Sequence, residues 1–125
     1  MLTKRLLRPE RLRRVPAQFS WIDQRLVRAG YIERCDAHAL ALYLFLLTVA
    51  DARGLSYYAD RTLLRLLSMP APRLHQARAA LMDVGLIAYQ RPLYQVLSLE
   101  APPAPRHSGL EPIGALLSRL QARRP

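Results

Sequence analysis

The sequence predicts a mainly α-helical α+β fold that ends in a small β-hairpin. Several stretches carry apolar residues at helical spacing between glycine and proline breaks, and two later stretches have the composition of paired strands. The chain has 125 residues, of which 51% are hydrophobic. This length and composition suit about one domain with a single core.

The chain divides into four parts by composition. Residues 1–18 combine arginines with two prolines and show no sustained apolar face, which predicts a basic arm with a helical turn or two. Residues 19–100 have the character of a folded domain. Residues 101–109 are rich in proline and predict a stiff, extended linker, and residues 110–125 predict a final amphipathic helix.

The domain is expected to begin with a short helix. Ser20 is a good N-cap residue, Asp23 can return the capping hydrogen bond, and Gly30 would end the helix. Residues 31–32 then predict a brief extended piece. The apolar residues of the short helix lie towards one side: Trp21, Ile22, Leu26 and Val27.

The second predicted helix is the centre of the domain. Asp36 is its expected N-cap, residues 37–53 contain no helix breaker, and Gly54 stops it. Apolar residues cover nearly its whole circumference, and Leu44 and Leu47 are among those expected in the core. A helix that is apolar on nearly all sides is wrapped by other elements.

A helix–turn–helix step is predicted next. Asp60 is expected to cap a helix at residues 61–68, and the Pro-Ala-Pro sequence at 70–72 cannot continue it. The following helix covers residues 73–84 and stops at Gly85. Its inward-facing residues are spaced three or four apart: Leu74, Ala77, Leu81 and Val84.

Short strand-like runs flank this step. Residues 55–58 predict one strand, and residues 86–90 and 94–99 predict a hairpin through the short link at 91–93. Five aromatic residues have helix or strand spacing and are expected in the core, with base stacking as the alternative: Trp21, Tyr43, Phe45, Tyr57 and Tyr58.

One segment of the predicted domain carries a family resemblance. Residues 66–87 read LLSMPAPRLHQARAALMDVGLI, which resembles the winged helix-turn-helix modules of bacterial DNA-binding proteins, where an apolar residue, Gly, Leu and Ile follow the recognition helix. The resemblance covers residues 36–99, and the central helix with the turn at 52–54 is similar to replication-initiator and DnaD-like N-terminal domains. Pro-Ala-Pro stands where that family usually has a Ser or Thr cap, so fewer hydrogen-bond donors face a groove.

The resemblance implies that the helix at 73–84 reads double-stranded DNA. Its solvent-facing polar residues would be Arg73, His75 and Gln76, with Arg78 towards the flank. Arginine pairs with guanine, glutamine pairs with adenine, and arginine also binds phosphate. Gln90 and Arg91 would lie at the tip of the wing, near the DNA backbone or minor groove. An ordinary solvated surface is the alternative for all these residues.

The net charge of +10 is concentrated at the two ends of the chain. Residues 1–14 have a net charge of +5, residues 15–100 only +2, and residues 101–125 again +3. This distribution predicts a near-neutral domain with a basic arm that neutralises phosphates or enters a minor groove, although a charge run can also be merely solvated. The basic residues of the arm are Lys4, Arg5, Arg8, Arg11, Arg13 and Arg14.

The final predicted helix carries an apolar stripe that needs a partner surface. It could pack on its own domain, pair with another copy or hold a partner protein, and the reach of the linker favours one of the last two. The stripe consists of Leu110, Ile113, Leu116, Leu117 and Leu120.

The sequence offers little for catalysis, metal binding or membrane insertion. Cys35 is the single cysteine, which excludes an internal disulfide, and its place before the central helix predicts a lowered thiol pKa. Its neighbour His38 lacks further metal ligands, and the sequence contains no phosphate-binding glycine motif. The longest nearly apolar run, at 39–50, is shorter than the roughly 20 residues that a membrane span needs.

These observations predict a bacterial, cytoplasmic and nucleoid-associated DNA-binding protein with no enzymatic activity, cofactor or metal. It would act in replication initiation, in mobile-element or plasmid maintenance, or in transcription regulation. An interaction adaptor that recruits a protein through the final helix is the main alternative. Binding of RNA or of a single strand through the arm and the tyrosines is a third.

Overall fold

The computed structural model describes residues 3–99 and places them in four α-helices and one three-stranded antiparallel sheet. The predicted α+β class is therefore confirmed for this part of the chain. The predicted linker and final helix, at 101–109 and 110–125, lie outside the described residues. In chain order the elements are α1 (Arg25–Arg28), α2 (Ala37–Val49), β1 (Leu55–Tyr57), α3 (Asp60–Leu67), α4 (Ala71–Val84), β2 (Ile87–Gln90) and β3 (Leu93–Val96).

The first helix is much shorter than predicted, and Ser20 does not cap it. The Oγ atom of Ser20 instead donates to the carbonyl oxygen of Thr48 at 3.3 Å, which ties this stretch to α2. The carboxylate of Asp23 accepts from the amide N–H of Arg25 at 2.8 Å, so the helix starts only there. The extended piece predicted at 31–32 is also wrong, because a 3-10 turn runs from Ile32 to Arg34.

The start of α2 is as predicted, but its end is not. The Asp36 carboxylate accepts from the amide N–H of Ala39 at 2.8 Å and so caps the helix. At the other end, the Asp51 carboxylate accepts from the amide N–H groups of Arg53 and Leu55 at 2.8 and 2.9 Å. This turn competes with continuation of the helix, which therefore ends at Val49 rather than at residue 53.

Within residues 3–99, α2 is not wrapped on all sides as predicted. Leu42 and Leu46 are completely buried, and the helix packs mainly against α4. Leu44 lies on the opposite side, where 56% of it is exposed. Apolar residues around a whole helix do not identify the elements that pack against it. Within the described residues, one face of α2 is open.

Two of the five aromatic residues expected in the core are exposed. Tyr43 is buried, and Phe45 meets Tyr58 edge to face with ring centroids 4.9 Å apart. Trp21 and Tyr57, in contrast, are each 71% exposed. Trp21 precedes α1 instead of lying on it, and Tyr57 belongs to an edge strand with an open side.

The turn between α3 and α4 and the end of α4 have related geometry. Ser68 adopts a left-handed conformation with φ +51°, and the amide N–H of Met69 donates to the carbonyl of Leu64 at 3.3 Å. At the end of α4, Gly85 has φ +85°, and the amide N–H of Leu86 bonds the carbonyl of Leu81 at 2.9 Å. Both helices therefore end at a residue in the left-handed conformation, which lets the next amide N–H bond a carbonyl of the last turn. The sequence predicts this end for α4 from Gly85.

The predicted hairpin is confirmed, and its second strand is the central one. The sheet order is β1-β3-β2, and only Arg91 and Pro92 join β2 to β3, through a cis peptide bond. The amide of Val96 donates to the carbonyl of Gly54 at 2.8 Å. A Cβ atom at Gly54 would lie 2.6 Å from the carbonyl oxygen of Val96, so this approach requires glycine.

The core lies between the helices and one face of the sheet. No described helix has both the length and the apolar character that crossing a membrane requires. The largest completely buried side chains come from α2, α3, α4, the turn after α4 and β3: Tyr94, Leu42, Leu46, Leu63, Leu74, Leu81 and Leu86.

Two leucines on α2 provide a test of this packing. We expect Leu46→Ala to lower the free energy of unfolding by about 2–5 kcal/mol, because it leaves a cavity in the core. Leu44→Ala should cost less than Leu46→Ala, because the described residues leave more than half of that side chain exposed. Chemical denaturation of both variants measures the difference, and equal losses would contradict the open face of α2.

Candidate nucleic-acid interface

On the exposed side of α4, two of the predicted recognition residues, Arg73 and Gln76, are neighbours, and His75 lies towards Asp60. Arg73, His75 and Gln76 are all exposed, while Leu74 and Ala77 on the other side are buried in the core. The Nη1 atom of Arg73 donates to the Oε1 atom of Gln76 at 3.3 Å. A guanidinium and an amide that can each pair with a base edge are therefore neighbours on one exposed surface.

The start of α4 has no side-chain cap, as its proline composition predicts. Pro70 occupies the N-cap position, and Pro72 follows in the first turn. The amide N–H groups of Arg73 and Leu74 both bond the carbonyl of Pro70, at 3.0 and 3.1 Å. Because Pro72 has no N–H, this helix end offers few free donors to a phosphate.

The prediction that Arg78 contacts DNA is wrong. Only 8% of Arg78 is exposed, and its Nη1 atom donates to the Asp60 carboxylate at 2.8 Å and to the Tyr94 hydroxyl at 2.6 Å. Its Nη2 atom reaches the same carboxylate at 3.3 Å, and its guanidinium carbon lies 4.3 Å from the centre of the Tyr89 ring. The side chain is enclosed by α3 and the hairpin, so it cannot reach a phosphate.

We call these four residues, Asp60, Arg78, Tyr89 and Tyr94, the Arg78 cluster. The hydrogen bond from Arg78 is the main cause that holds the pKa of Asp60 below its ordinary value. Burial alone would lower the pKa of Arg78, but its bonds to Asp60 and Tyr94 outweigh burial and raise it. Burial raises the pKa of Tyr94. The guanidinium is therefore charged at every physiological pH, and its carboxylate partner is ionised.

Asp60 does not cap α3 as predicted, because its carboxylate bonds Arg78 instead. No side-chain hydrogen bond caps that helix, since Asp60 is its first residue and turns towards Arg78. His75 approaches from the exposed side, with its Nε2 atom 3.6 Å from the Asp60 Oδ2 atom. The cap is predicted from neighbouring residues alone, whereas the Asp60 carboxylate bonds Arg78, which lies 18 positions later.

The tip of the hairpin presents the two predicted wing residues to solvent. Gln90 ends β2, Arg91 follows it, and both are exposed. The base of the tip is anchored, because the carbonyl of Pro92 accepts from the amide N–H of Tyr58 at 3.1 Å. The wing is short, so its reach is that of the Arg91 side chain.

The described part of the arm is open to solvent along its whole length. Every residue from Thr3 to Ser20 is exposed, and a single 3-10 turn covers Pro9–Arg11. Arg8 lies 3.4 Å from the Glu10 carboxylate, and the other five basic residues of the arm make no salt bridge within residues 3–99. These charges are available to a polyanion.

The remaining site predictions concern the final helix, the Cys35 thiol and metal binding. The predicted partner-binding stripe, Leu110 to Leu120, lies outside the described residues. Burial, with the Asp36 carboxylate adding to it, raises the pKa of the Cys35 thiol, so the predicted lowering is wrong. Residues 3–99 contain no group of three or more His, Cys, Asp or Glu side chains placed to hold a metal ion.

Comparisons with protein-family models, with curated proteins and with solved structures each found no match for this chain. The winged helix-turn-helix resemblance therefore stays a prediction. What bears on function is the arrangement and charge of the chain's own residues.

The Arg78 cluster makes stability depend on pH through Asp60. Because folding lowers the pKa of this carboxyl, its contribution is full above about pH 4 and is lost as the pH falls through its folded-state pKa. We expect Asp60→Asn to cost about 1–3 kcal/mol at neutral pH, since Arg78 loses its charged partner. The difference in the free energy of unfolding between Asp60→Asn and the wild type should decrease in acid.

Urea denaturation at neutral pH and in acid measures this gap. Asp83→Asn is the matched control, because it removes an exposed carboxylate from α4 that makes no salt bridge within residues 3–99. A gap between Asp60→Asn and the wild type that stays constant down to low pH would contradict the assigned role of Asp60.

Proposed function

We propose that this chain binds double-stranded DNA through the outward face of α4, the tip of the hairpin and the basic arm, without catalysing a reaction on it. The observation that carries the proposal is the exposed Arg73, His75 and Gln76 surface on the second helix of a helix–turn–helix step. A helix of this length fits the major groove of B-DNA.

The order of elements supports a winged helix-turn-helix interpretation of the domain. Helix, strand, helix, turn, helix and hairpin follow one another from α2 to β3, and β1 joins the edge of the hairpin. In modules of that kind the second helix of the step enters the major groove and the hairpin flanks it. Residues 36–99, which carry the resemblance, are the ones that contain this arrangement.

Charge distribution assigns different roles to the arm and to α4. The arm holds six basic residues that are exposed and lie outside the near-neutral domain, so it supplies sequence-independent attraction to phosphates. Arginine is well suited to this, because its planar guanidinium binds phosphate with two hydrogen bonds. On α4 the base edges would be read by Arg73 and Gln76, and Arg78 cannot contribute because it is buried.

The composition of the α4 face points to modest sequence preference. Its first turn contributes Ala71 and Pro72, which have no side-chain donors, and its exposed middle contributes Ala79. Two base-reading side chains and a basic arm suit a protein that recognises short sites or works beside other DNA-bound proteins. Replication initiation, mobile-element or plasmid maintenance and transcription regulation, on a bacterial nucleoid, are the processes that we propose.

Removal of the arm tests the electrostatic part of the proposal. We expect deletion of residues 1–14 to weaken binding to random duplex DNA and to reduce the salt slope by roughly 0.9 for each phosphate that the arm no longer neutralises. Fluorescence anisotropy at several salt concentrations measures both quantities. A full-length variant with the six basic arm residues changed to glutamine is the control for chain length, and an unchanged slope in both variants would remove the arm from the interface.

Substitution on α4 tests recognition. We expect Arg73→Ala and Gln76→Ala each to cost about 1–3 kcal/mol on a duplex selected for tight binding, and to relax the base preference at one position. Arg28→Ala, which removes an exposed arginine from α1, is the matched control for charge. If the wild type binds no duplex at any salt concentration, the DNA proposal fails.

A further inference from the structure

An apolar surface lies on the side of the molecule that the DNA proposal does not use. The stretch from Phe19 to Ile22 runs beside α2, and the Ser20 bond to Thr48 holds it there. Phe19, Trp21 and Ile22 are all more than half exposed, and so is Leu44 on the open face of α2. An apolar patch of this kind on a small domain calls for an occupant.

Two clefts flank this stretch. One has a volume of about 540 Å³ and is lined by Phe19 and Trp21, by Tyr43 and Leu47 of α2, and by residues 95–99. The other, of about 580 Å³, is lined by Phe19, Ile22, Leu44 and Leu47 among others. We name the surface formed by these two clefts the α2 groove.

We propose that residues 110–120 of the same chain occupy the α2 groove as an amphipathic helix. Their five apolar residues recur at helical spacing and would cover the exposed apolar side chains of the groove. The proposal goes beyond DNA binding and does not depend on it. It also differs from the sequence-based preference for a second copy or a partner protein.

The path of the chain favours an occupant from the same molecule. Leu97 and Leu99 line the first cleft, Leu99 is buried, and the described chain ends there. Eleven residue steps lead from Leu99 to residue 110, and even a fully extended chain spans at most about 40 Å over them, so residue 110 lies within that distance of the groove. A short tether gives a local concentration of order millimolar, which exceeds the concentration of a second copy under ordinary conditions.

Charge argues against a nucleic acid as the occupant. The charged residues that line the first cleft are Asp23, Asp51, Arg25 and Arg53, which cancel. The hydrogen bonds from Arg25 lower the pKa of Asp23, and those from the backbone of Leu55 and Arg53 lower the pKa of Asp51, so both carboxylates are ionised at neutral pH. A cleft whose charges cancel does not attract a phosphate backbone. It also does not repel residues 101–125, which have a net charge of +3.

Trp21 is the single tryptophan of the chain and lies in the groove, so its fluorescence reports occupancy. In the full-length chain we expect Leu116→Glu with Leu117→Glu to shift Trp21 emission to longer wavelength and to increase its quenching by acrylamide. Ser118→Glu with Gln121→Glu adds the same charge to the polar face of the predicted helix and should change neither. Unchanged emission in the first variant would overturn the proposal.

A variant on the groove side guards against a folding artefact. Leu44→Glu should produce the same red shift, because it places a charge in the groove at a position that is already exposed. Leu66→Glu is its matched control, since this leucine of α3 is 46% exposed and lines neither cleft. Far-ultraviolet circular dichroism establishes that all four variants keep the helical domain, and a shift of equal size in Leu66→Glu would contradict the assignment.

The dependence on concentration separates the same chain from a second copy. We expect the wild type to be a monomer in light scattering, with Trp21 emission that does not change across a wide dilution series. A dimer that dissociates as Trp21 emission shifts to the red, and that the Leu116→Glu, Leu117→Glu variant cannot form, would place a second copy in the groove and overturn the proposal.

Discussion

The buried guanidinium of Arg78 is the constraint around which the α3, α4 and hairpin arrangement is built. A charge in this position is tolerated only while its partners stay in place, and removing one partner of a buried pair is costly. Those partners come from three elements: the Asp60 carboxylate from α3, the Tyr94 hydroxyl from β3 and the Tyr89 ring from β2. One side chain of α4 therefore links the hairpin to the helix–turn–helix step, in addition to the apolar core that they share.

This arrangement separates the two faces of α4 by chemistry. The inward side combines leucines with one arginine that is bonded to Asp60 and Tyr94, while the outward side presents Arg73, His75 and Gln76. The sequence places Arg78 towards the flank of the exposed face, but it does not show that this side chain is buried while Arg73 is exposed. The difference arises from Asp60 and the two tyrosines, which lie at least eleven positions away in sequence.

Most of the fold could be predicted because its signals are local. Asp36 caps α2, Gly85 ends α4 and the link before Leu93 closes the hairpin, and in each case neighbouring residues supply the physical cause. The wrong predictions for Leu44, Trp21, Asp60 and Arg78 arise because their surroundings come from distant segments. Periodicity shows that a residue is apolar or charged, but burial depends on which elements pack against it.

Gly54 has a consequence for the mechanics of the hairpin. Its carbonyl accepts from Val96 just beyond the last pair of β1 with β3, while Tyr58 reaches Pro92 at the other end, so β1 and its flanks hold β3 along its full length. The opposite edge of β3 is held by β2. The exposed tip at Arg91 therefore extends from strands that are hydrogen-bonded on both edges of β3. A partner that binds the tip loses little binding free energy to the ordering of a mobile loop.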